Sequence, residues 1–327
     1  MSPSLSPPAL PSLADLGLGL PCEEPFTRTQ AADHGITPAR LKRLIAGGAV
    51  RRVLHSVYVA AEVPDSIDLR CRALSSVLAP DSFICDRTAA WIYTGSSALA
   101  PNEHLAMPSI SCFRPSGKRR LTGPILVSGE RAIRDGDLRE LNGLVLTTEL
   151  RTALDLGRLE PTMDMRVWGM SNLLATGAFD KEALLARVPE FKGARGVVGL
   201  RIAVPRVDAR LESMGEAALY NRWLDIGLPP PELQISLQVD GVEVARLDMG
   251  LREWLFAAEY DGERFHSSDA DVEHDEDRRA WIERDFRYLI EVFTRANVFG
   301  RSQDVDVRLR RAALAARASA GSRSFIL

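Results

Sequence analysis

Three acidic residues, Asp248, Glu259 and Asp261, fall in two adjacent apolar stretches of the chain, and His266 follows them shortly after a glycine. The run from Trp254 to Tyr260 is apolar except for Glu259 and has the length of a strand. Side chains alternate between the two faces of a strand, so Glu259 and Asp261 point to one side. A carboxylate inside a buried strand is costly unless it is paired or bound to a cation, and Asp248, across one turn, is the expected neighbour. Magnesium prefers oxygen donors and keeps several waters, so two carboxylates and a substrate phosphate suffice to hold it. Such an ion neutralises charge that develops on a phosphodiester and activates water. Asp248 and Glu259 are therefore candidate metal ligands, with Asp261 either a third ligand or a residue that fixes the turn at Gly262. Histidine as a residue type suits proton transfer near neutral pH, so His266 is the candidate general acid or base. A surface histidine is its plainer alternative.

Four neighbours have double readings. Arg246 shares strand parity with Asp248, so it either holds that carboxylate or grips a phosphate. Arg278 and Arg279 lie in the charged segment after the strands, able to approach a phosphate or to pair with Asp275, Glu276 or Glu283 at helical spacing. Glu216 closes a Ser-x-x-Glu capping box with Ser213, and its alternative is to position a metal or water.

These residues need a scaffold. From Leu211 the pattern reads helix, strand, strand, strand, helix, strand, helix. Leu233, Ile235, Leu237 and Val239 alternate with polar residues, and Asp240-Gly241 is a hairpin turn. Val242 to Met249 pairs back, Trp254 to Tyr260 continues the sheet, and Asp271 to Arg284 is a charged helix. Tyr288 to Phe293 adds a strand, and Val305 to Ala318 is a terminal helix rich in arginine. That order suits a mixed sheet flanked by helices.

The block resembles the restriction-endonuclease-like core, Asp followed about ten residues on by Glu-x-Lys, and more closely the very-short-patch-repair-like endonucleases. The residues that carry the likeness are Glu216, Asp248, Glu259-Tyr260-Asp261-Gly262, His266 and Asp277-Arg278-Arg279. The resemblance implies a metal-dependent DNA endonuclease with catalytic Asp248, Glu259, His266 and Glu216, and with Mg2+ as cofactor. It departs from the broad superfamily in having Asp261 at the lysine position, and no lysine follows Lys192. The very-short-patch branch also lacks that lysine and relies on a histidine, a place His266 matches.

The other end of the chain is basic. From Arg28 to Arg52 the cations Arg28, Arg40, Lys42, Arg43, Arg51 and Arg52 face only Asp33. Phe26 to Ala32 reads as one helix, Gly35 stops it, and Thr37-Pro38 starts a second. That second helix is expected to bury Leu41, Leu44 and Ile45 and to turn its cations outward. Val50 to Val59 alternates around His55-Ser56 as a hairpin. Helix, turn, helix and basic ribbon make a winged helix-turn-helix, whose second helix fits the major groove while the wing meets phosphate. About five phosphate contacts imply a log-log salt slope of roughly −4 to −5. A protein-docking module is the alternative. Phe26-Thr-Arg, Leu41-Lys-Arg-Leu44 and Val57-Tyr58-Val59 make this segment similar to the N-terminal domain of abortive-infection (AbiEi-type) antitoxins. The line from Thr147 to Leu156 resembles their middle part.

With 327 residues, 46% hydrophobic and 26% charged, the chain has room for two or three domains of an ordinary globular protein. The net charge of −3 averages opposed fields, since Asp269 to Asp277 holds six acidic residues and no Lys or Arg. Four scattered cysteines without metal spacing read as reduced thiols in a cytoplasm. No basic start opens the Pro- and Ser-rich leader, and no apolar run is long enough for a bilayer.

The expected organisation is an α+β multidomain chain. Residues 1–24 form a disordered leader and 25–62 the winged helix-turn-helix. An antitoxin-like α/β connector without a catalytic constellation fills 63–205, and the endonuclease-like domain is 206–327. Arg246, Arg278 and Arg279 join the N-terminal cations as candidate DNA contacts. Duplex DNA is the expected partner, a cognate toxin the second, and a homodimer is compatible although no dimer seam is visible. Two functions stay open: a Mg2+-dependent DNA endonuclease, or a catalytically silent regulator such as an autorepressing antitoxin of a phage-defence system. An RNA-directed nuclease is the weaker third.

Overall fold

The structure is a computed structural model that describes residues 12–78, 82–98, 109–118, 121, 126–262, 269–300 and 304–323. It is α+β, with three sheets and interspersed helices. The chain separates into two compact units, Met1–Asp155 and Leu156–Leu327. The connector boundary expected at residue 205 lies inside the second unit.

In the first unit, β1 (Phe26–Thr27) precedes α1 (Arg28–Asp33) and α2 (Pro38–Ala46), and β2 (Val50–Leu54) and β3 (Val57–Ala60) form a hairpin. Phe26 and Thr27 are not helical as expected. They pair with Tyr58 and Val57, and the Thr27 hydroxyl accepts the Gln30 N–H at 3.2 Å, so the helix starts one residue after its cap. Thr37 caps α2 and Pro38 is its first residue, as the spacing predicts. Leu41 is buried, Leu44 half-buried and Ile45 37% exposed, so the apolar face is narrower than expected. Ile36, ahead of the helix, fills the core instead. The stretch expected as leader also contributes, because Leu13 and Leu20 are buried with Phe26, Leu41 and Tyr58.

The hairpin turns at Ser56, whose φ of 62° is left-handed. Val50, Tyr58 and Ala60 serve one core, while Val53, Leu54, Val57 and Val59 serve the next. That second core lies under a mixed sheet ordered β6-β5-β4-β9-β8, where β4 is Phe83–Ile84, β5 Ile110–Pro115, β6 Leu126–Val127, β8 Leu138–Leu141 and β9 Leu144–Thr147. A short β7 (Glu130–Arg131) pairs with β5. Helices α3 (Ile67–Ser75), α4 (Asp86–Thr94) and the start of α5 (Glu149–Leu159) complete this unit.

The second unit continues with α6 (Met163–Leu174), α7 (Lys181–Arg187) and α8 (Val197–Ala203) before α9 (Met214–Asp225). Its sheet is ordered β10-β11-β12-β13, from Glu232–Val239, Val242–Leu251, Phe256–Asp261 and Leu289–Thr294. The first three strands are antiparallel, and β12 and β13 are parallel, joined by α10 (Asp269–Asp285). A parallel pair needs such a crossover. Short α11 (Arg295–Phe299) and long α12 (Val305–Arg323) end the unit. Ile235, Leu247, Ala257, Ile282, Tyr288 and Ile290 form one core of this sheet. Trp223 of α9 stacks on Phe256, centroids 5.4 Å apart, and donates its ring N–H to the Pro229 carbonyl at 2.7 Å. This order of elements, with α11 added, is the one the pattern predicts for the C-terminal block. Among the described residues no helix is long and apolar enough to cross a membrane.

Candidate active site

β11 is ten residues long but pairs with β12 only through Met249, Gly250 and Leu251. Its first half pairs with β10 alone, so β11 and β12 diverge just beyond Met249. Asp248 sits at the point of divergence. Its Oδ2 accepts the Tyr260 N–H at 2.8 Å, closing the ladder with a side chain where the backbone has left it.

Glu216 reaches the same place from the first turn of α9. The Ser213 hydroxyl accepts the Glu216 N–H at 3.1 Å, as a capping box requires. The reciprocal bond differs from expectation: Glu216 Oε2 accepts the N–H of Glu212 at 2.9 Å, one residue before the cap. The same oxygen accepts Gln234 Nε2 at 3.2 Å. Glu216 is 8% exposed. Burial raises its pKa against the opposing bonds from Glu212 and Ser213.

Asp248 is affected more strongly. Burial, then the charge of Glu216, and further those of Glu259 and Glu212, push it up to about 7 against the Tyr260 bond. The two carboxylates thus share a negative field, and the bonds the described residues make to their oxygens come from the neutral donors Tyr260, Glu212 and Gln234.

Glu259 is treated differently. It is 5% exposed, and its oxygens meet Arg278 Nη2 and Arg279 Nε, each at 3.3 Å. Arg279 Nη2 also reaches Asp261 at 3.1 Å. One arginine bridging both acids bears out the shared face read from their spacing. The arginines therefore join the strand carboxylates from α10. Arg246 does not hold Asp248; it pairs at 3.4 Å with Glu212, both about half exposed. His266 lies outside the described residues.

Among the described residues no group of three or more His, Cys, Asp or Glu is arranged to hold a metal ion. Asp248, Glu259 and Asp261 are thus not gathered as three ligands: Asp261 and Glu259 face the arginines, and Asp248 faces Glu216. Gln234 was missed by the reading of the sequence, where it counted only as a polar position in an alternating strand.

The start of α9 is fixed by a close approach. A Cβ on Gly215 would lie 1.9 Å from Tyr260 Cε1, so the ring of β12 rests directly on the helix backbone beside Glu216. Gly215→Ala should cost about 1–3 kcal/mol by overpacking. Denaturant unfolding checks it, and pairing it with Tyr260→Val should recover part of the loss. Strict additivity of the two changes would mean that this contact does not set the helix.

The N-terminal cations are placed unequally. Arg28, Arg40, Lys42 and Arg43 are exposed, whereas Arg51 and Arg52 are half-buried. Arg51 Nη2 donates to the Val63 carbonyl at 2.7 Å, and Arg52 Nη2 lies 3.2 Å from His55 Nδ1. Each arginine of the ribbon thus meets a neighbour of its own segment through one terminal nitrogen.

No protein-family model matches the chain. Over 248 residues it is 27% identical to uncharacterized proteins from two strains of Mycobacterium tuberculosis, CDC 1551 / Oshkosh and ATCC 25618 / H37Rv. The matched stretch covers 76% of this chain and 87% of each relative.

Proposed function

We propose that the chain is a DNA-binding protein whose N-terminal segment is a winged helix-turn-helix. Its C-terminal unit is a very-short-patch-repair-like, restriction-endonuclease-like domain that hydrolyses phosphodiesters with Mg2+. The observation that supports this most is the meeting of Asp248 and Glu216 where β11 leaves β12, a half-buried and a buried carboxylate whose charges repel.

That donor set suits a hard divalent ion, which takes one or two carboxylates and completes its shell with water and substrate oxygen. When bound, the ion supplies charge neutralisation and an activated water. Asp248 and Glu216 would hold it, in place of the Asp248, Glu259 and Asp261 set expected from spacing. Arg278 and Arg279 keep Glu259 and Asp261 neutralised at the rim and present cations that a phosphate can engage. His266 keeps its place as candidate acid or base, and a cytoplasmic setting fits the chemistry.

A second reading rests on a specific contact. Glu259, the central acid of the resemblance, is sealed by two arginines, which fits a regulator that keeps the fold without the reaction, an antitoxin with a cognate toxin among its partners. The two readings separate on supercoiled plasmid with Mg2+ or Mn2+: nicking supports the endonuclease, and duplex binding without nicking supports the regulator.

DNA binding has its own test. With the ribbon arginines half-buried, the exposed cations of this segment are those of α1 and α2, so about four phosphate contacts give a log-log salt slope of roughly −3 to −4. Anisotropy of a labelled duplex should show this, and Arg43→Gln should weaken the slope by about one. Unchanged affinity when Arg40, Lys42 and Arg43 are all replaced by Gln would remove α2 from the interface.

A further inference from the structure

A left-handed backbone is unfavourable for any residue with a Cβ, and it persists where the surroundings demand it. Gln234 has a φ of 54° within β10. It lies between the pairs Leu233↔Met249 and Ile235↔Leu247, across from Asp248. The hairpin tip explains the left-handed Asp240 and Gly241, but Gln234 is far from it along the strand. Glycine would adopt this conformation freely. What glutamine adds is its carboxamide, which donates to Glu216 Oε2 at 3.2 Å.

We infer that Gln234 is a positioning residue of the candidate site: its amide fixes the Glu216 carboxylate beside Asp248 so that the two share one divalent cation. The inference rests on the metal-dependent reading above. The choice of donor supports it. An arginine or lysine at this place would neutralise Glu216 and compete with a cation, as Arg278 and Arg279 do at Glu259. An amide orients the carboxylate and leaves its charge in place. The Glu212 N–H holds the same oxygen at 2.9 Å, so Glu216 is oriented by two neutral donors from different elements. Groups that orient a ligand in this way typically change metal affinity by about 10- to 100-fold when removed.

The strain makes the test clean. Gln234→Gly deletes the amide and relieves the backbone, so melting temperature should hold or rise. Mn2+ affinity of the full chain, read by the electron paramagnetic resonance of free Mn2+, should fall by about 10- to 100-fold. Should glycine loosen the strand, Gln234→Asn gives the same comparison, because asparagine tolerates left-handed φ while its amide ends one methylene short. Wild-type affinity in the folded variant overturns the role of Gln234 alone. A wild-type protein that takes up no Mn2+ overturns the metal reading, and this inference with it.

Discussion

Asp248→Ala should lower metal-dependent nicking of supercoiled plasmid by roughly 10²- to 10³-fold, the loss expected when an ion that contributes several kcal/mol of charge stabilisation is released. Alanine also strips the Tyr260 N–H of its acceptor. Asp248→Asn is therefore the better partner variant, since its carbonyl oxygen can still accept that bond. Both should show that loss, while only the alanine variant loses the ladder contact. Activity surviving in Asp248→Asn would exclude this carboxylate as a ligand.

The same residue makes a stability prediction whose sign follows from its pKa. The folded value, about 7, lies above the ordinary 3.8, so the native state holds a proton that the unfolded chain releases between them. Stability from this group is complete below about pH 4, declines as pH rises through 7 and is level above. The raised pKa of Glu216 adds in the same direction. About three units correspond to a difference on the order of 4 kcal/mol. Melting temperature should thus fall from pH 5 to pH 8 in the wild type and much less in Asp248→Asn, with Mn2+ restoring the wild type at pH 8. Parallel pH profiles for the two proteins would show that Asp248 does not hold its proton up to about pH 7.

Much of this unit is legible from the sequence because its signals are local. Alternation in Leu233 to Val239 and the Asp240-Gly241 turn define the hairpin, and the parity of Glu259 and Asp261 places both under one arginine. What fails is longer in range. Counted back from the turn pair Val239↔Val242, Leu233 would lie opposite Asp248, but the register shift after Leu237 brings Gln234 there instead. A bulge without glycine leaves no mark in sequence. The arginine partners of Glu259 were equally invisible, since helical spacing offered Arg278 and Arg279 nearer acids. In the N-terminal segment, cations are easy to count, but which of them are half-buried depends on a hairpin that serves two cores.

The connector segment, expected to hold no catalytic constellation, carries a buried charge network among its described residues. Asp137 and Asp155 are fully buried, and Arg151 is nearly so. The Arg151 guanidinium bonds Asp137, meets Asp155 Oδ2 through Nε at 2.9 Å and donates to the Ala132 carbonyl at 3.0 Å. Arg131 bridges Asp155 at 3.1 Å to Asp86 and lies over the Phe113 ring at 4.3 Å. Its charge is held by the carboxylates of Asp86 and Asp155 against the cost of its own burial. Asp86 itself adopts a φ of 53° at the start of α4, a left-handed conformation tied to the same network.

Such a network tolerates concerted replacement better than the loss of one member. Arg151→Ala takes from the buried Asp137 and Asp155 the guanidinium that both contact and should destabilise the first unit by about 3–5 kcal/mol. For a unit of this size that is a fall of roughly 10 °C or more in melting temperature. Combining Arg151→Met with Asp137→Asn and Asp155→Asn removes the charges together, and should recover more than half of that loss. Calorimetry of the full chain distinguishes the cases. A triple variant no more stable than Arg151→Ala would mean that the hydrogen-bond geometry of the network, and not its charge balance, holds β8, β9 and α5 together.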